Sequence, residues 1–118
     1  MDMSFQVDWN AALANVNDNR DLLKLVIDAF LTESAQLRDQ ISIAITNQDT
    51  KLLQRTGHTL KGIMHSVGAS SWSHSARQLE ELGAAGTTDG AQELADELNR
   101  HLPALLEQLR TFSVEQSN

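Results

Sequence analysis

Apolar residues recur every three or four positions along most of this chain, which is the spacing of amphipathic helices. Runs with the period-two alternation of half-buried strands are missing. Asp8 is a good N-cap for a short first helix, and Asp49 for a third helix that runs to about Val67. The pattern also predicts a long second helix over residues 20–47, a fourth capped by Ser70 or Ser71, and a last helix after a loop over residues 83–90.

The apolar stripe of each helix supplies the predicted core. Pro103 lies inside the apolar stripe of the last helix. The stripe continues with the same spacing beyond Pro103, so we expect one kinked helix and not two separate helices. Short loops between long amphipathic helices predict an all-α fold, an antiparallel four-helix bundle with a short additional N-terminal helix. We expect residues 1–118 to form a single domain with a frayed polar tail from about Ser113. The main predicted core positions are Trp9, Ala12 and Leu13; Leu22, Val26, Ala29, Phe30, Leu37, Ile41, Ala44 and Ile45; Trp72, Ala76, Leu79 and Leu82; and Leu94, Leu98, Leu102, Leu105, Leu109 and Phe112.

Composition and charge narrow the classes of function. The formal net charge is −7, which argues against nucleic-acid binding because that needs a basic surface. The chain has no cysteine, so disulfides, thiolate metal sites and thiol chemistry are excluded. No apolar run approaches the roughly 18–20 residues needed to span a membrane, and we expect no direct membrane contact.

The third helix carries the most informative segment, in which His58, Lys61 and Gly62 stand at i, i+3 and i+4 and therefore share one face. At about 100° per residue, Leu60 and Met64 fall on the opposite side. We therefore expect the His58 side chain to be exposed to solvent. The same outer face holds Lys51, Gln54, Arg55, Lys61, Gly62 and His65.

These residue types suit phosphoryl chemistry. An imidazole with a pKa near ~6.5 is largely a neutral nucleophile at neutral pH, and the Lys61 ammonium can stabilise charged phosphoryl oxygens. No Asp or Glu lies three or four positions from His58, so the face is predicted to lack a carboxylate and to depend on a partner for acids and metal. Gly57 and Gly62 each cost up to ~1 kcal/mol in a helix. Gly62 is expected to give clearance to a partner or to phosphoryl oxygens.

The segment from Gly57 to Gly62, with Phe30, Gly68-Ala69 and Leu79-Glu80, resembles the histidine-containing phosphotransfer (HPt) family over nearly the whole chain. The resemblance implies that His58 is the phosphoacceptor, Lys61 its electrostatic partner and Gly62 the clearance residue. It implies a phosphorelay intermediate in two-component signal transduction, which takes a phosphoryl group from a receiver-domain aspartyl phosphate and passes it to another receiver.

The resemblance also carries expectations about partners. These are receiver domains of response regulators or hybrid histidine kinases, with the Mg²⁺ on the receiver and no cofactor on this chain. We expect a monomer without autokinase activity, located in the cytoplasm either free or as the cytoplasmic domain of a membrane-anchored hybrid sensor kinase.

Two residues depart from the family pattern: Gly57 replaces the usual alanine, which is expected to loosen the helix, and His65 replaces a small or uncharged residue. The predicted docking residues are Lys51, Gln54, Arg55 and His65, with Ser66 at their edge.

Three other functions compete with this interpretation. Dimeric histidine autokinases follow their histidine with an acidic residue, whereas Thr59 follows His58, and no Gly-rich nucleotide-binding segment is present. Bundle di-metal sites use Glu-x-x-His pairs, and none occurs here because Arg55, Gly62, Ser71 and Leu98 precede the four histidines by three. A helical interaction adaptor without phosphotransfer activity is the alternative that stays open.

Overall fold

Five α-helices and one 3₁₀ turn form the fold over residues 6–116, the part of the chain that this computed structural model describes. The α-helices are α1 (Trp9–Ala14), α2 (Arg20–Thr46), α3 (Thr50–Ser66), α4 (His74–Ala84) and α5 (Ala91–Gln116). The 3₁₀ turn spans Ser70–Trp72 and lies between α3 and α4. No strand occurs within these residues, so the predicted all-α fold class is confirmed.

Side-chain caps set the starts of the first three helices. The carboxylates of Asp8 and Asp49 accept hydrogen bonds from the backbone N–H groups of Ala11 and Leu52, both at 3.0 Å. The Asn19 side chain does the same for α2. Each bond satisfies one of the backbone donors that a helix start leaves unpaired. The predicted caps at Asp8 and Asp49 are therefore confirmed.

Helices α2 to α5 pack as a ring of neighbours, in the order α2–α3, α3–α4, α4–α5 and α5–α2. This arrangement places α3 and α5 on one diagonal of the bundle. The core lies between them and is filled by leucines, isoleucines and Phe30, most of them without any exposure. α1 closes one end, where the Trp9 ring stacks on Phe112 at 4.8 Å between centroids.

The predicted stripe of α2 is wrong in its first half. Leu23 and Ile27 are fully buried there, whereas Leu22 is 42% exposed, Ala29 is exposed and Val26 is half-buried. Leu22-Leu23 and Val26-Ile27 are apolar pairs, so the sequence allows either member to face inward. In the bundle, the second member of each pair is the buried one.

The start of the fourth helix is also corrected. Trp72 is buried on the 3₁₀ turn and not on α4, and neither Ser70 nor Ser71 caps that helix. Ser73 stands at the cap position, but its hydroxyl donates to the Ser70 carbonyl at 2.7 Å instead of capping. Periodicity alone could not separate these elements, because the turn continues the apolar spacing of the helix.

The end of the chain differs from the predicted frayed tail. α5 continues through Ser113 to Gln116, and the Ser113 hydroxyl donates to the Asp28 carboxylate on α2. Residues 117–118 of the predicted tail lie outside the described residues. α5 runs as one helix through Pro103, as expected, while the kink stays a prediction. Within residues 6–116, no helix is long and apolar enough to cross a membrane.

Candidate functional site

His58 lies in the middle of α3, and its side chain is 68% exposed. Leu60 and Met64 of the same helix are fully buried, which confirms the predicted register. Lys61 follows one turn later with 27% of its side chain exposed. Gly62 is exposed, and a Cβ added there would meet nothing within 4 Å. The structure therefore places the three residues of the motif together on one outer face.

Glu80 of α4 joins this group. One carboxylate oxygen, Oε2, lies 2.7 Å from His58 Nδ1, and the other, Oε1, lies 2.7 Å from Lys61 Nζ. The Glu80 side chain is only 20% exposed. The expectation that this face lacks a carboxylate is thus wrong, because a neighbouring helix supplies one that the α3 sequence does not contain.

The electrostatics keep the Glu80 carboxyl ionised. The hydrogen bond from Lys61 holds the pKa of Glu80 below its ordinary value of 4.5, and the hydrogen bond with His58 acts in the same direction against the opposing effect of burial. Glu80 is therefore ionised at neutral pH and can only accept hydrogen bonds. In the neutral ring, Nδ1 must then carry the hydrogen, which leaves the lone pair on Nε2.

Gly57 lies where α3 packs against α4. It is buried in an unbroken α3, and an added Cβ would lie 2.7 Å from the backbone nitrogen of Glu80. The expectation that this glycine loosens the helix is replaced by a packing explanation. A side chain at this position would collide with the backbone of α4.

The predicted docking residues surround His58 but do not interact with Glu80. Lys51, Gln54 and Arg55 are exposed on the preceding turns of α3. His65 is exposed as well, and its Nδ1 lies 2.7 Å from the Ser70 hydroxyl. Ser66 donates its hydroxyl hydrogen to the Gly62 carbonyl at 2.9 Å. These positions are compatible with docking, and the roles stay predictions.

Comparison with known proteins shows which family the chain is similar to. The family model described as Hpt domain matches residues 25–112, which include α3, α4 and the whole site. The chain belongs to the Hpt domain family. Membership supports a role in histidine phosphotransfer within a phosphorelay, and Hpt domains in general interact with receiver domains.

A solved structure has the same fold. Histidine-containing phosphotransfer protein B from Pseudomonas aeruginosa PAO1 superposes with a TM-score of 0.82 at 19% identity. The match covers 92% of this chain and 95% of that protein. No curated protein matches the chain. The Hpt four-helix bundle predicted from the sequence is confirmed by this similarity.

Glu80 is the site residue that sequence reasoning missed. It lies 22 residues after His58, beyond any local helix spacing, and only the α3–α4 packing brings the two together. The available signal was the Leu79-Glu80 pair, which contributes to the family resemblance. Within residues 6–116, no group of three or more His, Cys, Asp or Glu side chains is arranged to hold a metal ion.

Proposed function

We propose that His58 of this Hpt domain accepts a phosphoryl group from the aspartyl phosphate of one receiver domain and passes it to another. The observation that carries this proposal is the exposed His58 ring with Nδ1 bound to Glu80 at 2.7 Å. That contact leaves Nε2, the nucleophilic nitrogen, free for attack. A positioned nucleophile is what an acceptor needs, and no base has to remove a proton from it, because neutral imidazole already has its lone pair.

The transfer step balances without a proton acceptor. The Nε2 lone pair forms a bond to phosphorus as the bond between phosphorus and the aspartyl oxygen breaks, and the receiver carboxylate leaves with the electron pair. The proton on Nδ1 stays in place, so the phosphorylated ring is an imidazolium. The Glu80 carboxylate stabilises this positive charge at hydrogen-bond distance. In onward transfer the bond between phosphorus and Nε2 breaks and neutral imidazole leaves with the electron pair. Because neutral imidazole is a good leaving group, the same arrangement serves this step.

Lys61 and Gly62 complete the acceptor. The Lys61 ammonium has three hydrogens and donates to Glu80 Oε1, so further hydrogens are available for phosphoryl oxygens. The open space at Gly62 lets a partner backbone or the phosphoryl group approach α3. In this proposal Lys61 stabilises charge in the transition state and in the product, and Gly62 provides clearance.

The proposed partners are receiver domains of response regulators or hybrid histidine kinases, which bring the Mg²⁺. Lys51, Gln54, Arg55 and His65 form the proposed docking surface around His58. Positive side chains on a chain with a net charge of −7 suit an acidic receiver pocket, because complementary potentials set orientation and association rate. We place this acceptor in the cytoplasm as a monomer without autokinase activity.

The test is phosphoryl transfer from a labelled receiver, followed by the acid-labile, base-stable phosphate on this chain. His58→Gln should abolish labelling. His74→Gln is the matched control, because His74 is exposed on α4 and makes no contact with Glu80 in the site described above. Labelling that persists in His58→Gln would overturn the proposal, and receiver binding without transfer in the unaltered chain would favour the adaptor function.

A further inference from the structure

Helices α3 and α4 approach most closely at two glycines. A Cβ on Gly57 of α3 would lie 2.7 Å from Glu80 N and 2.8 Å from Ala76 O. A Cβ on Gly83 of α4 would lie 2.4 Å from Gln54 N and 2.5 Å from the Thr50 carbonyl oxygen. All four obstacles are backbone atoms, which cannot rotate away as side chains do. Each helix therefore contributes one glycine that admits the backbone of the other.

The two contacts lie beside the acceptor site. Gly57 precedes His58 in the chain, and the atom that it admits is the backbone nitrogen of Glu80 itself. Gly83 lies three residues after Glu80, on the same face of α4. The Glu80 backbone is therefore held against α3 next to the position from which its carboxylate reaches His58 and Lys61.

The two hydrogen bonds of the Glu80 carboxylate depend on the distance between α3 and α4. Both carboxylate oxygens are already engaged at 2.7 Å, and such bonds weaken beyond about 3.2 Å. To reach ordinary contact at about 3.4 Å, an added Cβ would need about 0.7 Å of movement at Gly57 and about 1.0 Å at Gly83. A shift of α4 of that size would take both bonds beyond this range unless the Glu80 side chain reoriented. Gly57 lies in the interior of α3, where glycine costs about 1 kcal/mol relative to alanine. In this chain the close approach of the two backbones leaves no space for a Cβ at either glycine.

We infer that Gly57 and Gly83 are positioning residues, which set the α3–α4 spacing so that Glu80 holds His58 in its reactive tautomer while also binding Lys61. This inference rests on the proposed phosphoacceptor function of His58. The glycines touch neither the phosphoryl group nor the ring, and they act only through Glu80. Packing alone would also favour glycine here, so the test must report on the ring and not on stability.

The experiment compares Gly57→Ala and Gly83→Ala with the unaltered chain by NMR, without a phosphodonor. The ¹⁵N shifts of the His58 ring report the tautomer, and the ¹³C titration of the Glu80 carboxyl reports its two hydrogen bonds. We expect both variants to lose the dominance of the Nδ1–H tautomer, and the pKa of Glu80 to move back toward 4.5. Transfer from a phosphorylated receiver should slow about ten-fold, the effect of one weakened charge-assisted hydrogen bond.

Leu109→Val is the control, because Leu109 is a fully buried residue of α5 on the diagonal from α3. It should lower stability and leave the His58 tautomer and the Glu80 titration unchanged. Unchanged NMR readouts in both glycine variants would overturn the inference, as would loss of the folded state in both, since the inference requires that α4 can shift while the bundle persists. Absence of transfer in the unaltered chain would instead contradict the proposed function, and the NMR comparison would still decide the positioning role.

Discussion

At the scale of single residues, the site depends on one carboxylate that serves two cationic or polar partners. Glu80 uses a separate oxygen for His58 and for Lys61. The exposure of His58 could be predicted from sequence because it depends only on the register of its own helix. The Glu80 contact could not, because it depends on how α4 is rotated and how far it lies from α3. No spacing within α3 carries that information.

Replacement of Glu80 by glutamine should slow phosphoryl transfer about ten-fold, the effect of losing roughly 1.4 kcal/mol of charge-assisted hydrogen bonding. His58 and Lys61 bind different oxygens of the Glu80 carboxylate, and in glutamine one of these oxygens becomes an NH₂ donor that cannot accept a hydrogen bond. The amide also carries no charge to balance the imidazolium. The initial rate of transfer from one receiver measures the effect. Glu81→Gln is the matched control, because Glu81 is the exposed neighbour of Glu80 on α4. Equal rates in the two variants would exclude a role for Glu80.

The lowered pKa of Glu80 also predicts a pH dependence of stability. A carboxyl whose pKa falls on folding stabilises the folded state fully above its unfolded value, and this contribution is lost as pH falls through the folded value. The difference in free energy of unfolding between the unaltered chain and Glu80→Gln should shrink as pH falls below 4.5. Urea denaturation across this acidic range tests the prediction. A difference that grows as pH falls below 4.5 would contradict the assigned direction of the shift.

At the scale of elements, periodicity predicted the helices but not every boundary. The caps at Asp8 and Asp49 are readable because a single side chain determines each. The 3₁₀ turn at Ser70–Trp72 is not, since its spacing resembles the helix that follows. The docking of α1 depends on Gly68, which has φ +75° and lies against Asp8, whose N–H donates to the Gly68 carbonyl at 2.8 Å. An added Cβ there would lie 2.2 Å from the Asp8 carbonyl oxygen.

Gly68→Ala should therefore destabilise the fold by more than the strain of a positive φ alone, which is about 1–3 kcal/mol. Gly86→Ala is the matched control, because Gly86 has φ +79° and open space around its Cβ position. Only the first substitution forces α1 away from the loop after α3. Urea denaturation gives both losses of free energy, and the Gly68→Ala loss should be clearly the larger. Equal losses would show that Asp8 moves aside without cost.

At the scale of the whole molecule, charge is unevenly placed. The chain carries a net charge of −7, yet Lys51, Arg55 and Lys61 lie on the His58 face of α3. The net charge could be read from the sequence, and so could the basic stripe, because it is a property of one helix. The Glu80 carboxylate, which α4 supplies, neutralises part of the positive charge of this basic stripe next to the His58 ring. The positive charge is therefore concentrated on the turns before His58, at Lys51 and Arg55.

Arg55→Glu should reduce the rate of transfer from a receiver several-fold at low salt, and less at high salt, because exposed charges are screened within about 10 Å at 0.1 M ionic strength. Phosphorylation of His58 by the small donor phosphoramidate should not change, since that reaction needs no docking. Arg100→Glu alters the net charge equally, but from an exposed position on α5, diagonal to the acceptor helix. If the two variants slow the receiver reaction alike, net charge rather than the Lys51–Arg55 region guides association. A loss of phosphoramidate labelling in Arg55→Glu would instead show that Arg55 acts on the His58 site directly.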